Sequence, residues 1–114
     1  MKITRLNECE TMPVNMEGIK GVTKQVPIGK ADGAPHFSIR VFTLEPGGHT
    51  PHHAHESEHL NYILEGSGEA MEGDTPHPIR KGDYLLVKPH EVHQYRNTGE
   101  TPLVFMCMVP SAYE

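Results

Sequence analysis

The sequence predicts an all-β domain, a sandwich or barrel of short antiparallel strands. Three observations carry this. Glycine and proline, with 11 and 10 copies, are spread evenly and cut the chain into pieces too short for long helices. No stretch sustains the i, i+3, i+4, i+7 apolar spacing of an amphipathic helix. The pieces between turns instead read as strands of about four to eight residues at close, regular spacing.

In chain order the predicted strands are Lys2–Leu6, Lys20–Ile28, His36–Leu44, a histidine-bearing strand near His53–His55, and His59–Glu65. Gly68–Glu72, Thr75–Ile79, Tyr84–Lys88, His93–Asn97 and Pro102–Val109 follow. Helix formers between Asn7 and Glu17 are interrupted by Pro13, so no stable helix is expected there. Turn chemistry separates the strands at Glu45-Pro46-Gly47-Gly48, Glu72-Gly73-Asp74, Lys81-Gly82-Asp83 and Asn97-Thr98-Gly99-Glu100.

A length of 114 residues fits one domain, residues 1–114, with a core barrel at about 34–110 and an N-terminal extension over 1–33. The net charge of -5 and the scattered basic residues offer no patch for phosphates, so nucleic acid is not an expected partner. No apolar run approaches the roughly 20 residues that span a bilayer, and the start MKITRLNECE is no signal peptide. A cytoplasmic protein without membrane attachment is the expectation. Cys9 and Cys107 stand at opposite ends of the chain without CxxC pairing and are expected to be reduced.

Histidine is the compositional outlier. Of nine, five (His49, His52, His53, His55 and His59) fall within eleven positions. Side chains alternate along a strand, so His53 and His55 share a face roughly 7 Å apart at the backbone and can converge on one ion. His59 opens the next apolar strand and His93 a later one. Four neutral imidazoles can hold a divalent ion through one ring nitrogen each. Glu58 is a tempting substitute ligand, but alternation points it away from His59's face. His49, His52, His77 and His90 lie in or beside turns and read as surface residues.

These residues resemble the two conserved motifs of the cupin superfamily. The first is a glycine, five residues, His-x-His, three or four residues, a glutamate, six residues and a glycine. Here it reads Gly47, five residues, His53-Ala54-His55, three residues, His59, six residues and Gly66, with histidine at the glutamate position. Of the second motif, Gly82, His93 and Asn97 keep the overall spacing. Pro89 is displaced by one, and counting from it Glu91 stands where a glycine is usual. The resemblance implies a double-stranded β-helix, a jelly-roll barrel with an N-terminal strand extension, and homodimers in which that extension reaches the partner. It implies one divalent transition metal on His53, His55, His59 and His93. Manganese, iron, nickel, zinc and copper all suit such a subgroup, with manganese and iron placed first.

If His93 faces the metal, Tyr95 and Asn97 share its face, and Tyr95 could offer a hydroxyl to substrate or be a core aromatic. On the last strand, Phe105 and Cys107 or the Val104, Met106 and Met108 set lies inside. The first is favoured, because flexible methionines suit a face covered by another layer or subunit. Arg40 could point inward and pair a substrate carboxylate, or outward into a salt bridge. The function expected is a metal-dependent, dioxygenase-like oxidoreductase acting on a small organic molecule. The alternatives are a non-catalytic metal- or ligand-binding module and a sugar isomerase or epimerase.

Overall fold

The computed structural model describes residues 1–114 and builds them into nine strands in one curled antiparallel sheet. The strands are β1 (Met12–Pro13), β2 (Lys20–Ile28), β3 (Phe37–His49), β4 (His59–Glu65), β5 (Ser67–Glu72), β6 (Thr75–Arg80), β7 (Tyr84–Val87), β8 (His93–Arg96) and β9 (Leu103–Pro110). Helical turns are confined to three short 3-10 pieces, Leu6–Glu8, Lys30–Asp32 and Ser111–Tyr113. No helix is long and apolar enough to cross a membrane.

β3 organises the barrel because it belongs to both walls. Its Phe37–Leu44 stretch lies between β2 and β9, and its far end pairs His49 with Arg96 of β8. One wall therefore runs β1-β2-β3-β9-β4-β7 and the other runs from the end of β3 through β8 and β5 to β6. Two walls closed on each other make the double-stranded β-helix.

Period-2 alternation decides what lies between them. On β9, Leu103, Phe105, Cys107 and Val109 are buried, while Val104, Met106 and Met108 turn to the outer face. Leu44 and Ile63 pack against this row. Burying each such side chain contributes about 1.5–3 kcal/mol before entropy is counted. Asn97, buried at the end of β8, donates to Leu44 O and Thr101 O, both at 2.9 Å, and accepts from Gly99 N at 2.9 Å. Its amide thus stitches β3 to the turn before β9, and the shared face with His93 serves the fold.

Three expectations require correction. Glu45-Pro46-Gly47-Gly48 is no turn: β3 runs through it, with a register shift opposite Lys20 and Val22. The β9 ladder ends at the Leu44–Leu103 pair, so Pro46 removes no donor that β9 needs. Lys2–Leu6 is not a strand, because Ile3 stays exposed and no apolar face is buried. Around His53–His55 there is only a single bridge, His53 with His93. Pro51 has no N–H to offer there, and His55 O is taken by His90 N at 2.8 Å. Within the N-terminal segment, β2 is laid against β3 from the Lys20–His49 pair to the Ile28–Ile39 pair.

Candidate metal centre and its pocket

The first part of the loop 50–58 is held to β8 through Thr50 and His53. Thr50 N bonds Tyr95 O at 3.0 Å, and His53 and His93 exchange backbone bonds at 3.1 and 2.9 Å. This brings His53 and His55 to the ring of His93, although no regular strand carries them. One ring nitrogen from each of His53, His55 and His93 falls within 4.8 Å of the others. No carboxylate joins the group, and Glu58 is exposed.

His59 stands beside this trio, not within it. Its ring stacks on His55 with centroids 4.3 Å apart and planes at 22°, and lies 5.5 Å from His93. Burial, with help from the Arg40 guanidinium, holds its pKa down to about 3. Partial desolvation also lowers His53, and burial lowers His93. Uncharged rings keep the lone pairs that a metal needs.

The fit to an ion rests on His55. Both of its ring nitrogens are buried and neither has a hydrogen-bond partner. An imidazole so placed costs free energy unless something electrophilic occupies the space. His93 adds a supporting contact: its Nδ1 lies 2.9 Å from Glu91 O, which orients the ring and leaves Nε2 free. A divalent ion therefore suits His53, His55 and His93. Site access comes from the side of His53, the exposed member of the three.

His49, His52, His77 and His90 stay out of the cluster. His52 and His77 bond Gly73 O and Glu72 at 2.8 and 2.9 Å, and His49 lies 3.2 Å from Thr50 O. His90 has a different task. It is the sole non-glycine residue with positive φ, 65°, a conformation that glycine adopts most readily. Counting from Gly82 lands on His90, whereas counting from the displaced Pro89 lands on Glu91.

A cavity of about 200 Å³ opens beside the histidines, and Arg40, Tyr95, Phe105 and Cys107 all line it. Arg40 points inward, two residues along β3 from Phe42 and opposite Cys107. Its Nη2 donates to Cys107 Sγ at 3.1 Å and its Nη1 to Tyr113 O at 3.3 Å, with the guanidinium 5.0 Å from the Phe42 ring centre. Burial pushes the Cys107 thiol up, and Cys9 and Cys107 are both free. Tyr95 is nearly sealed: its hydroxyl accepts from the Asn61 amide, and burial raises its pKa well above the usual phenol range. A phenol held this way is no general base at neutral pH.

The sequence reading missed the opposite wall. Val14, Ile19, Val22 and Lys24, from the N-terminal extension, complete the cavity. The signal was present in part: alternation along Lys20–Ile28 puts Val22 and Lys24 on one face, and the register sets Lys24 against Phe42. What the residues did not reveal was which strand they would face.

Residues 40–109 match the family described as Cupin domain. An oxalate-binding protein of Thermotoga maritima is 33% identical over 99 residues, covering 83% of this chain and 81% of that protein. A 1-methylthio-D-xylulose 5-phosphate methylsulfurylase of Rhodospirillum rubrum is 34% identical over 71 residues, 62% of this chain but only 46% of that enzyme. Among solved structures, the polyketide cyclase RemF from Streptomyces resistomycificus superposes with a TM-score of 0.92 at 28% identity. That superposition covers 97% of this chain and 80% of RemF.

Proposed function

This chain belongs to the cupin family, and from that premise we propose that it is a metal-dependent, dioxygenase-like oxidoreductase acting on a small organic molecule. The observation that carries the proposal is the His53, His55 and His93 group, with both His55 nitrogens unpartnered, beside an apolar-walled cavity. We take His59 as the fourth ligand, its ring turning from the His55 stack to the ion. A redox-active ion there would supply Lewis acidity and one-electron chemistry to substrate and dioxygen. The chain's own residues do the rest. Phe42, Phe105 and Val22 keep water from the bound molecule, and the Glu91 carbonyl holds the His93 ring in place.

An isomerase reading has less support, because it needs a base on the inner wall and Tyr95 does not provide one. A binding module remains the second reading, favoured by the relative named as an oxalate-binding protein. The test pairs elemental analysis of natively purified protein with oxygen uptake across catechols, keto acids and phenylpropenes. Stoichiometric manganese or iron with substrate-dependent uptake is expected. Metal without uptake on any of them would move the protein to the binding reading, and absence of metal after reloading would sink both.

We also propose that two copies pair through the outer face of β4 and β7. Leu60, Tyr84 and Leu86 are 42%, 83% and 52% exposed there, on neighbouring strands in one apolar surface. Light scattering after size exclusion is expected to give twice the 12.7 kDa chain mass. A monomer, or a dimer unaffected by Leu86→Lys, would overturn the assignment.

A further inference from the structure

Two cations, Arg40 and Lys24, line the cavity beside the histidines. Arg40 has no carboxylate within ion-pair distance, and its buried Nε has no partner, although acids outnumber bases in this chain and Lys–Asp, Arg–Glu and Lys–Glu pairs form elsewhere in it. Arg40 spends two of its five N–H donors on neutral acceptors, the Tyr113 carbonyl and the Cys107 sulfur. Cys107 supplies no compensating charge, since burial keeps it a thiol. Lys24 donates to Glu114 O at 3.0 Å and is partly offset by the Glu114 charge, but further donors remain on its ammonium. Both side chains are half-buried, and desolvation together with the Arg40 guanidinium lowers the Lys24 ammonium below its ordinary pKa.

The uncompensated charge of Arg40 in a partly desolvated pocket is costly unless a ligand neutralises it. On this reading of the cavity as the substrate pocket, we infer that the substrate is a carboxylate, held by Arg40 and Lys24 with its reactive part toward the histidines. A guanidinium and an ammonium side by side match the two oxygens of one carboxylate. The remaining wall, with Val22, Phe42 and Phe105, suits the carbon skeleton. A phosphate dianion has more oxygens to satisfy than these two partly occupied groups serve.

The test is calorimetric titration of the full chain, zinc-loaded and metal-free, with acetate, benzoate, benzamide and methyl phosphate. Benzoate is expected to bind at least about tenfold more tightly than benzamide, because only the acid meets the two cations. Arg40→Gln is expected to weaken benzoate by about tenfold to a hundredfold and leave benzamide unchanged. Arg40→Lys should recover part of the loss, and Lys24→Met should show a smaller one. If Arg40→Gln fails to fold, Lys24→Met and Arg40→Lys carry the comparison. Equal binding of acid and amide, no binding of either carboxylate, unchanged affinity in the variants, or tighter binding of methyl phosphate would each overturn the inference. Zinc binding without acid–amide discrimination would leave the metal site standing and remove the carboxylate. Charge-dependent benzoate binding in a protein that never takes metal would do the reverse.

Discussion

His55→Ala is expected to remove the metal, lowering affinity at least about a hundredfold, more than loss of a supporting contact would cost. His55 is the central member of the group: its ring lies 5.1 Å from His53, 4.9 Å from His93 and 4.3 Å from His59. Both of its nitrogens are buried without partners, so its placement satisfies nothing in the metal-free protein. The same variant is therefore expected to leave metal-free stability unchanged within about 1 kcal/mol, since it deletes unsatisfied polar atoms along with their packing. His59→Ala should lose less affinity, about tenfold, because the His59 ring must first leave its stack on His55. Metal content by mass spectrometry and thermal melts with and without metal read both effects. A His55→Ala protein that keeps a full equivalent of metal would refute the site. Equal losses in the two variants would show that His59 is as well placed for the ion as the trio.

Gly66→Ala is expected to destabilise the fold by about 3–5 kcal/mol, at the upper end of single substitutions. Gly66 joins β4 to β5, where the chain passes from one wall to the other, with φ 83°. A β-carbon there would sit 2.3 Å from Pro102 O and 3.1 Å from Leu103 Cα, both backbone atoms that cannot swing aside. Gly47 separates the two causes. Its φ is 81° but no atom lies within 4 Å of the added carbon, so Gly47→Ala should cost only about 1 kcal/mol of left-handed strain. Urea midpoints of the two variants measure the difference. Equal losses would mean that the approach of β9 to the turn is not what demands glycine at position 66.

These two glycines show how unevenly the fold was legible. Both stand at motif positions, and the sequence treats them alike. Only the packing of Pro102 against one of them makes its replacement severe. Strand positions were readable because alternation and turn residues are local: Lys20–Ile28 and His59–Glu65 have the same limits in the sequence and in the structure. The passage of β3 through Pro46 and Gly47 was not readable, because turn chemistry there is overruled by pairing across to β2 and β8. Lys2–Leu6 failed for the opposite reason, having strand composition but no face to bury.

Histidine spacing by itself put His53 and His55 on one face, the resemblance to the cupin motifs added His59 and His93, and strand alternation placed Phe105 and Cys107 on one face. Ring positions were decided only in three dimensions. The 50–58 loop, tied to β8, brings His53 and His55 together without a strand, and His59 stacks beside the trio. Arg40's direction was open until the buried Cys107 sulfur and the Tyr113 carbonyl at the C-terminal turn supplied its acceptors. Tyr95 was free to be a catalytic group until Asn61 and the core enclosed it. Lys24 entered the pocket only through the pairing of β2 with β3, a contact between segments whose order in the chain implies nothing about which faces meet. Local periodicity fixes which residues share a face of a strand; long-range register, set by burial and pairing of the whole barrel, fixes what that face looks upon.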